Sequence, residues 1–475
     1  MWGKIYDFFD MLWGYPMLIL LVGGGLYYGI RTGFFQIRCL PLVFRKTFGE
    51  MFGKNKQNLD ELEGSMSPFQ ALSTVLAGTV GSGNIAGVAT AIAVGGPGAL
   101  FWMWITALVG MSTIMVETLL AQLYKEQNDD GTFRGGAAFY MGNGLKMRWL
   151  GVVVAFIIAI GSGIANSMSH VNAITNAFQV IVPNAPALLV GIILSALAFI
   201  ICIGGFKRIA DFSVKVVPFM AIAYVLLALY VIVTNFSALP AMLGMVFQGA
   251  FNPRAVGGGV AGYTIAQAFR YGMARGIFSN EAGQGSTPHQ SASGSPMHPA
   301  VQSFLGAASV AIDTLLVCTA TGIIVLLSGA DYTAISGAEL AQAAFSVFFG
   351  GAAPYIVAIM LFFFAFTSFV ASIYGGVVNI GYINESKKVG MIYTIILVVF
   401  AALSAVLSVD AMFEISDFVS ALMVYPNLFA LIFLLKKAKT CLADYEEKRA
   451  AGIEEPSYDW AAFRAENGLE PWKEV

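Results

Sequence analysis

The sequence predicts an all-α membrane protein of 11 transmembrane helices, built as a 5+5 inverted repeat preceded by one N-terminal helix. Three observations predict it. Of 475 residues, 57% are hydrophobic and only 11% charged, roughly half the charge of an ordinary soluble chain. Apolar runs of about 20 residues, the length that crosses a bilayer, recur along most of the chain. Lys and Arg gather in four of the connections between those runs and at the start of the tail, the bias of the positive-inside rule.

In chain order the runs lie near 15–31, 68–93, 97–123, 150–180, 186–204, 212–235, 262–292, 300–328, 351–381, 390–408 and 411–435. Lys4 and Asp7 precede the first without a small-residue cleavage motif, so it reads as a retained helix rather than a signal peptide. In "FFQIRCLPLVFRKTFGEMFGK" bulky apolar residues alternate with Arg38, Arg45, Lys46 and Lys54, the pattern of an amphipathic helix lying on the membrane. Connections 31–66, 124–149, 205–211 and 382–389 are basic, as is the tail starting Lys436, Lys437, Lys439. Connections 93–97, 181–186, 329–350 and 409 lack Lys and Arg, and 236–261 has only Arg254. This alternation places the N-terminus outside and the C-terminus in the cytoplasm of a multi-pass cell-membrane protein. The expected organisation is an N-terminal helix (1–33), a surface segment (34–66), a first five-helix repeat (67–236), an extracellular loop (237–261), a second repeat (262–435) and a polar tail (436–475), partly helical or disordered.

Two runs are interrupted. "TVGSGNIAG" (79–87) puts three glycines and Asn84 inside the second run, and "FSNEAGQGS" (278–286) puts Asn280, Glu281 and Gln284 inside the seventh. They stand about 200 residues apart, and each opens a block of five runs, 68–235 and 262–435. By the charge bias the two blocks enter from opposite sides, which is the pattern of inverted-repeat secondary transporters. Close helix packing explains isolated glycines such as Gly23 or Gly191. It does not explain an amide and a carboxylate at membrane depth, which are costly unless they face a polar cavity. Unwinding a helix there frees N–H groups suited to a carboxylate and C=O groups suited to a cation.

Other classes fit less well. Cys39, Cys202, Cys318 and Cys441 are scattered without a CxxC, and His170, His289 and His298 are not spaced as a ligand set. No GxxxxGK[ST] loop points to ATP-driven transport. A channel would show a filter loop or rings of like residues. No enzyme, organic cofactor or nucleic-acid partner is implied, and a non-transporting amino-acid sensor is the harder alternative to separate.

"GGPGALFWMW" (95–104), the preceding "GSGNIAGVATAIAV", "RGIFSNEAGQGS", "IDTLLVCTAT" (312–321) and "LFFFAFTS" (361–368) together resemble the alanine or glycine:cation symporter family over roughly 15–435. That resemblance implies Na⁺- or H⁺-coupled uptake of small amino acids and a leucine-transporter-type fold with one added N-terminal helix. The first core helix of such carriers is similar to residues 77–84, and the register implies that the Ser82 and Gly83 amides hold the substrate carboxylate, beside Thr79 and Asn84. It places the Ala77 and Val80 carbonyls at a sodium site, with the hydroxyls of Thr367 and Ser368 as further ligands; ordinary helix–helix bonding is the alternative for those hydroxyls. Hard oxygen ligands suit a hard cation. Phe278 and Ser279 match the substrate-facing aromatic and hydroxyl of the second unwound segment.

Three positions depart from the family pattern. His170-Val171-Asn172 stands where a glutamine two residues before an asparagine is usual, Gln284 where an apolar residue follows Gly283, and Tyr374-Gly375-Gly376 where Tyr-Gly-Glu is frequent. Gln284 is expected to accept a side-chain hydroxyl or amide, so that serine or threonine competes with alanine. His170 is a candidate proton-coupling group or a bonded span histidine. Arg275 is a candidate outer gate opposite an acid such as Glu281, or a static ion pair. Asn172 is a candidate substrate contact. Glu117 and Asp313 are buried acids expected to bond freed backbone N–H groups or each other.

Overall fold

The computed structural model describes residues 14–38, 40–42, 68–203, 205–251, 265–295 and 297–472. Most of the expected surface segment lies outside them, including Arg45, Lys46 and Lys54, as do Cys39 and Arg254. The described chain is almost wholly helical: α1 (Tyr15–Arg31), α2 (Pro68–Thr79), α3 (Gly83–Gly95), α4 (Gly98–Leu123), α5 (Arg148–Ile181), α6 (Ala187–Cys202), α7 (Gly205–Thr234), α8 (Leu239–Phe251), α9 (Ile265–Asn280), α10 (Pro288–Ala292), α11 (Pro299–Ser328), α12 (Gly337–Phe349), α13 (Ala353–Ile383), α14 (Lys387–Ser404), α15 (Val409–Ala450) and α16 (Trp460–Glu466). A short antiparallel pair, β1 (Glu126–Gln127) and β2 (Phe133–Arg134), turns the chain between α4 and α5.

Among the described residues seven helices are by length and composition able to cross a membrane, or eight if α2 and α3, bent by 49° at their junction, form one span. Large apolar side chains such as Ile30, Phe219, Val233 and Phe433 face outward, a surface that suits hydrocarbon. The protein is an all-α, multi-pass membrane protein. Two segments read from sequence as loops contain helices, α8 and α12, each of 13 residues. Each alone is shorter than a span, and α12 passes by length only together with α13, as the stretch Gly337–Ile383; α12 buries Leu340, Ala341, Ala344 and Phe345 beside α13 and the start of α3.

Small residues let the central helices approach. A Cβ on Gly276 of α9 would lie 2.2 Å from Thr106 Oγ1 of α4, and one on Gly306 of α11 would lie 2.6 Å from Thr118 Oγ1 of the same helix. α4 is thereby clamped between α9 and α11, where dispersion and polar contacts replace the hydrophobic drive that lipid removes. Wider π-type turns interrupt α3 (Gly83–Gly87), α5 (Ala159–Ala165) and α11 (Ala311–Cys318); such turns free backbone groups and re-aim side chains.

The tail is more ordered than its polarity suggests. α15 runs on to Ala450, and the chain then folds back, with Tyr458 N–H bonded to Met297 O at 2.9 Å. The buried Lys125 ammonium donates to Gln122 Oε1 (2.8 Å) and Gly294 O (2.7 Å). It also sits 4.2 Å from the Phe133 ring centre and 5.3 Å from that of Trp460. Burial, then the nearby Arg464, pull its pKa well below the usual lysine range. The aromatic residues of the tail thus bury themselves on the α4–β1 corner.

Candidate functional site

The first broken helix ends at Thr79, and a new helix starts at Gly83 with a π-type turn. Its first N–H groups have no partner within the helix. Asn84 reaches back, its Oδ1 accepting from Gly81 N–H at 2.7 Å. Its amide nitrogen donates to Asp313 Oδ1 at 2.6 Å and lies 3.3 Å from Cys318 Sγ. The Asn84 carbonyl accepts from Thr321 Oγ1 at 2.6 Å. Across the break, Ser368 Oγ of α13 lies 2.9 Å from Ala77 O, 3.2 Å from Val80 O and 3.1 Å from Phe364 O. A hydroxyl has one proton to give, so three carbonyl oxygens crowd round one donor. Ser82 Oγ lies 3.1 Å from His170 Nδ1. Gly81 has no room for a side chain, because its Cβ would meet Ser368 Oγ at 2.6 Å.

The second broken helix leaves α9 at Asn280 and resumes at Pro288. Between them Glu281 (φ 56°), Gly283 (φ 90°) and Gly285 (φ 75°) adopt left-handed backbone, which for a glutamate stores about 1–3 kcal/mol of strain. Side chains from other helices hold it. Glu117 of α4 accepts from Gly283 N–H at 3.2 Å and Gly285 N–H at 3.0 Å. Asn427 of α15 donates to Gly283 O at 2.9 Å and to the Glu117 carboxylate, and Tyr140 donates to Asn427 Oδ1. The Glu281 carboxylate accepts from Ser286 (2.7 Å), Thr287 (3.1 Å) and Asn166 (3.2 Å). Asp313 ties the two breaks together, taking Ser279 Oγ at 2.9 Å as well as Asn84.

A sequence model of the sodium:alanine symporter family matches residues 3–459. The chain belongs to that family. The probable sodium/glutamine symporter GlnT of Bacillus subtilis is 38% identical over 467 residues, 98% of this chain and 94% of that protein. The amino-acid carrier protein AlsT of the same organism is 37% identical over 459 residues, 96% and 94% of the two chains. The sodium/alanine symporter AgcS of Methanococcus maripaludis is 36% identical over 435 residues, 90% and 93%. This family member is therefore a membrane transporter of the sodium-coupled amino-acid symport class and not an enzyme.

In this symporter the structure brings together most of the residues singled out from sequence. Ala77, Val80 and Ser368 converge as described. Gly83 lies against Phe278 and Ser279: its Cβ would be 3.1 Å from the Phe278 ring and 3.3 Å from Ser279 Cα. Ser82 and His170 join the same cluster.

Others sit differently. Thr367 Oγ1 bonds Phe363 O and Phe364 O, both at 2.9 Å, on its own helix, facing Met220 rather than Ala77. Thr79 Oγ1 bonds Val75 O at 3.3 Å, also on its own helix. Asn172 donates to Ser404 O and Leu407 O, each at 2.8 Å, tying α5 to the end of α14. Arg275 pairs with Asp417 of α15, not with Glu281, whose carboxylate is turned into its own loop. Gln284 donates to Ile277 O at 3.0 Å, and its Oε1 is buried without a partner among the described residues.

Sequence reasoning missed Asn166, Asp417, Asn427 and Tyr140. Asp417 and Asn427 carried a usable signal, since each interrupts the apolar run 411–435 as Glu281 interrupts the seventh.

Proposed function

We propose that this transporter carries a small neutral amino acid of the alanine or glycine class into the cell together with Na⁺, by alternating access. The fold in this reading is the leucine-transporter type: 11 transmembrane helices, 5+5 inverted repeats after one N-terminal helix, N-terminus outside and C-terminus cytoplasmic. One observation carries it. Around Ser368 Oγ, three backbone carbonyls lie within 3.2 Å of a single donor proton. Such a surplus of hard oxygen is relieved by a small monovalent cation, which would bind Ala77 O, Val80 O and Ser368 Oγ. Thr367 would join only by turning its hydroxyl away from its own helix.

The substrate carboxylate would meet the amides that open α3, at Ser82 and Gly83, where the helix terminus favours an anion. Thr79, Asn84, Phe278 and Ser279 surround this place in the reading. Na⁺ bound at the break fixes the same backbone that the carboxylate needs, so each ligand raises the other's affinity. Rocking of one repeat against the other then exposes both to the cytoplasm, with about 2.3 kcal/mol per charge per 100 mV assisting the ion. Arg275 with Asp417 would close the outer side, and His170 would orient Ser82.

A second reading, a more polar substrate, is favoured by Gln284 Oε1, which has no partner among the described residues; one relative is named a probable sodium/glutamine symporter. Radiolabelled alanine uptake into proteoliposomes tests both, with an inward Na⁺ gradient or with choline in its place, and with serine, threonine and glutamine as competitors. Accumulation only with Na⁺ supports the symport reading. Equal uptake in choline overturns sodium coupling and leaves protons. Binding without accumulation in either medium points to a sensor. Inhibition by a polar competitor and not by glycine favours the second reading.

A further inference from the structure

We infer that the groove between the last turn of α1 and the middle of α15 is a binding site for an anionic phospholipid headgroup. The groove is open and encloses about 510 Å³, and Arg31, Lys436 and Lys439 all line it. None of the three makes an ion pair with a carboxylate among the described residues. The neighbouring charges are already matched: Lys437 with Glu466, Arg38 with Glu446, and Lys448 with Asp444. Three unmatched cations in one concavity repel each other and attract an anion with several oxygens. The Arg31 guanidinium lies 5.9 Å from the centre of the Tyr27 ring, which aims it into the groove.

The other walls decide which anion. Ile432 and Phe433 line the same groove and are half-exposed or more, and Leu26 and Ile30 stand exposed on the adjoining face of α1. An exposed apolar strip therefore leads into the basic mouth. That profile fits a molecule with acyl chains above and a phosphate below, and a soluble phosphate would leave the strip unused. Basic pockets between membrane helices at the headgroup level have this composition. The basic residues also fall where the apolar stretch of each helix ends, which is the headgroup depth.

Native mass spectrometry of the full chain in mild detergent tests this, with equal amounts of phosphatidylglycerol and phosphatidylcholine added. The unmodified protein should retain phosphatidylglycerol selectively. With each basic residue contributing about a fivefold factor near such a surface, the triple variant R31Q/K436Q/K439Q should weaken retention on the order of a hundredfold. A control variant, K387Q/K388Q, neutralises another basic connection and should leave retention unchanged. If the triple variant elutes as aggregate, Lys436→Gln alone, at an exposed position, should still cost about fivefold. No preference for the anionic lipid, or undiminished retention in the variants, overturns the assignment. So does displacement of the lipid by an equal concentration of glycerol phosphate, which would mark the site as one for a soluble phosphate.

Discussion

The two broken helices differ in what fills the break. At 281–287 the protein fills it: Glu117 takes two backbone N–H groups, Asn427 takes a carbonyl, and the Glu281 carboxylate is bonded by three neighbours. At 80–83 it does so only in part. Asn84 caps the Gly81 N–H, but three carbonyls share the Ser368 proton and the amides at the start of α3 lead into a contact with Phe278. The same sequence device, glycine with polar residues in an apolar run, therefore makes a braced joint at the second break and leaves three carbonyls sharing one donor at the first. Asp313 bridges them, holding Asn84 from one break and Ser279 from the other.

The largest expected effect breaks the comparison at its brace. Glu117→Ala leaves the Gly283 and Gly285 amides and one N–H of the Asn427 side chain without their acceptor in a fully buried site, while Asn427 keeps its bond to Gly283 O. Each orphaned donor costs about 1–3 kcal/mol, and water entering the hole offsets part of that, so a loss of about 3–5 kcal/mol is expected. Thermal unfolding in detergent reads it, with Glu117→Gln intermediate because its carbonyl still accepts. A Glu117→Ala protein as stable as the parent would mean that the second break is not held this way.

Ser368→Ala acts on the other side of the comparison. It removes one hydroxyl whose bond contributes about 1 kcal/mol, so the melting temperature should move little. The apparent Na⁺ affinity for driving alanine uptake should fall about ten- to a hundredfold, because a ligand to a charge contributes about 1.5–3 kcal/mol. A large stability loss with unchanged Na⁺ dependence would make Ser368 a strut and would reverse the roles given to the two breaks.

The fold class was legible because hydropathy and charge placement act on long stretches. Every run read from the sequence contains helix, and both interruptions, 79–87 and 278–286, coincide with real breaks. The candidate site was legible where backbone conformation decides it: Ala77, Val80 and Ser368 meet because a break and a facing hydroxyl leave few other arrangements, and Gly83 lies against Phe278 and Ser279. It was less legible where a polar side chain had several partners in reach. Thr367 satisfied itself on its own helix. Asn172 found carbonyls at the frayed end of α14. Arg275 chose Asp417, since Glu281 turns into a left-handed backbone position and faces its own loop. The helices α8 and α12 were read as loops because an apolar stretch of 13 residues falls below span length.

Asn172 gives a smaller, sharper test. Its amide bonds two carbonyls and its Oδ1 accepts from Asn176. Asn172→Ala should cost about 1–2 kcal/mol and leave the alanine concentration for half-maximal uptake unchanged. A rise in that concentration without a loss of stability would restore Asn172 as a substrate contact, and would extend the ligand site beyond the first break.

The smallest expected effect concerns Gln284, the residue in the second break whose side-chain oxygen is buried without a partner among the described residues. Its nitrogen bonds Ile277 O at 3.0 Å, so replacing the amide with a leucine side chain forfeits one hydrogen bond and also removes the orphaned acceptor. The two terms nearly cancel, and the stability change should stay within about 0.5 kcal/mol. Transport of alanine should persist, since the Ser368 cluster and the α3 amides are untouched. Competition by serine, threonine or glutamine should weaken several-fold, because a pocket that holds an amide acceptor discriminates against ligands without a donor far more than an apolar pocket does. If Gln284→Leu leaves every competitor's potency as it was, the second break contributes nothing to ligand choice, and its polar residues serve only to hold an unwound helix inside the membrane.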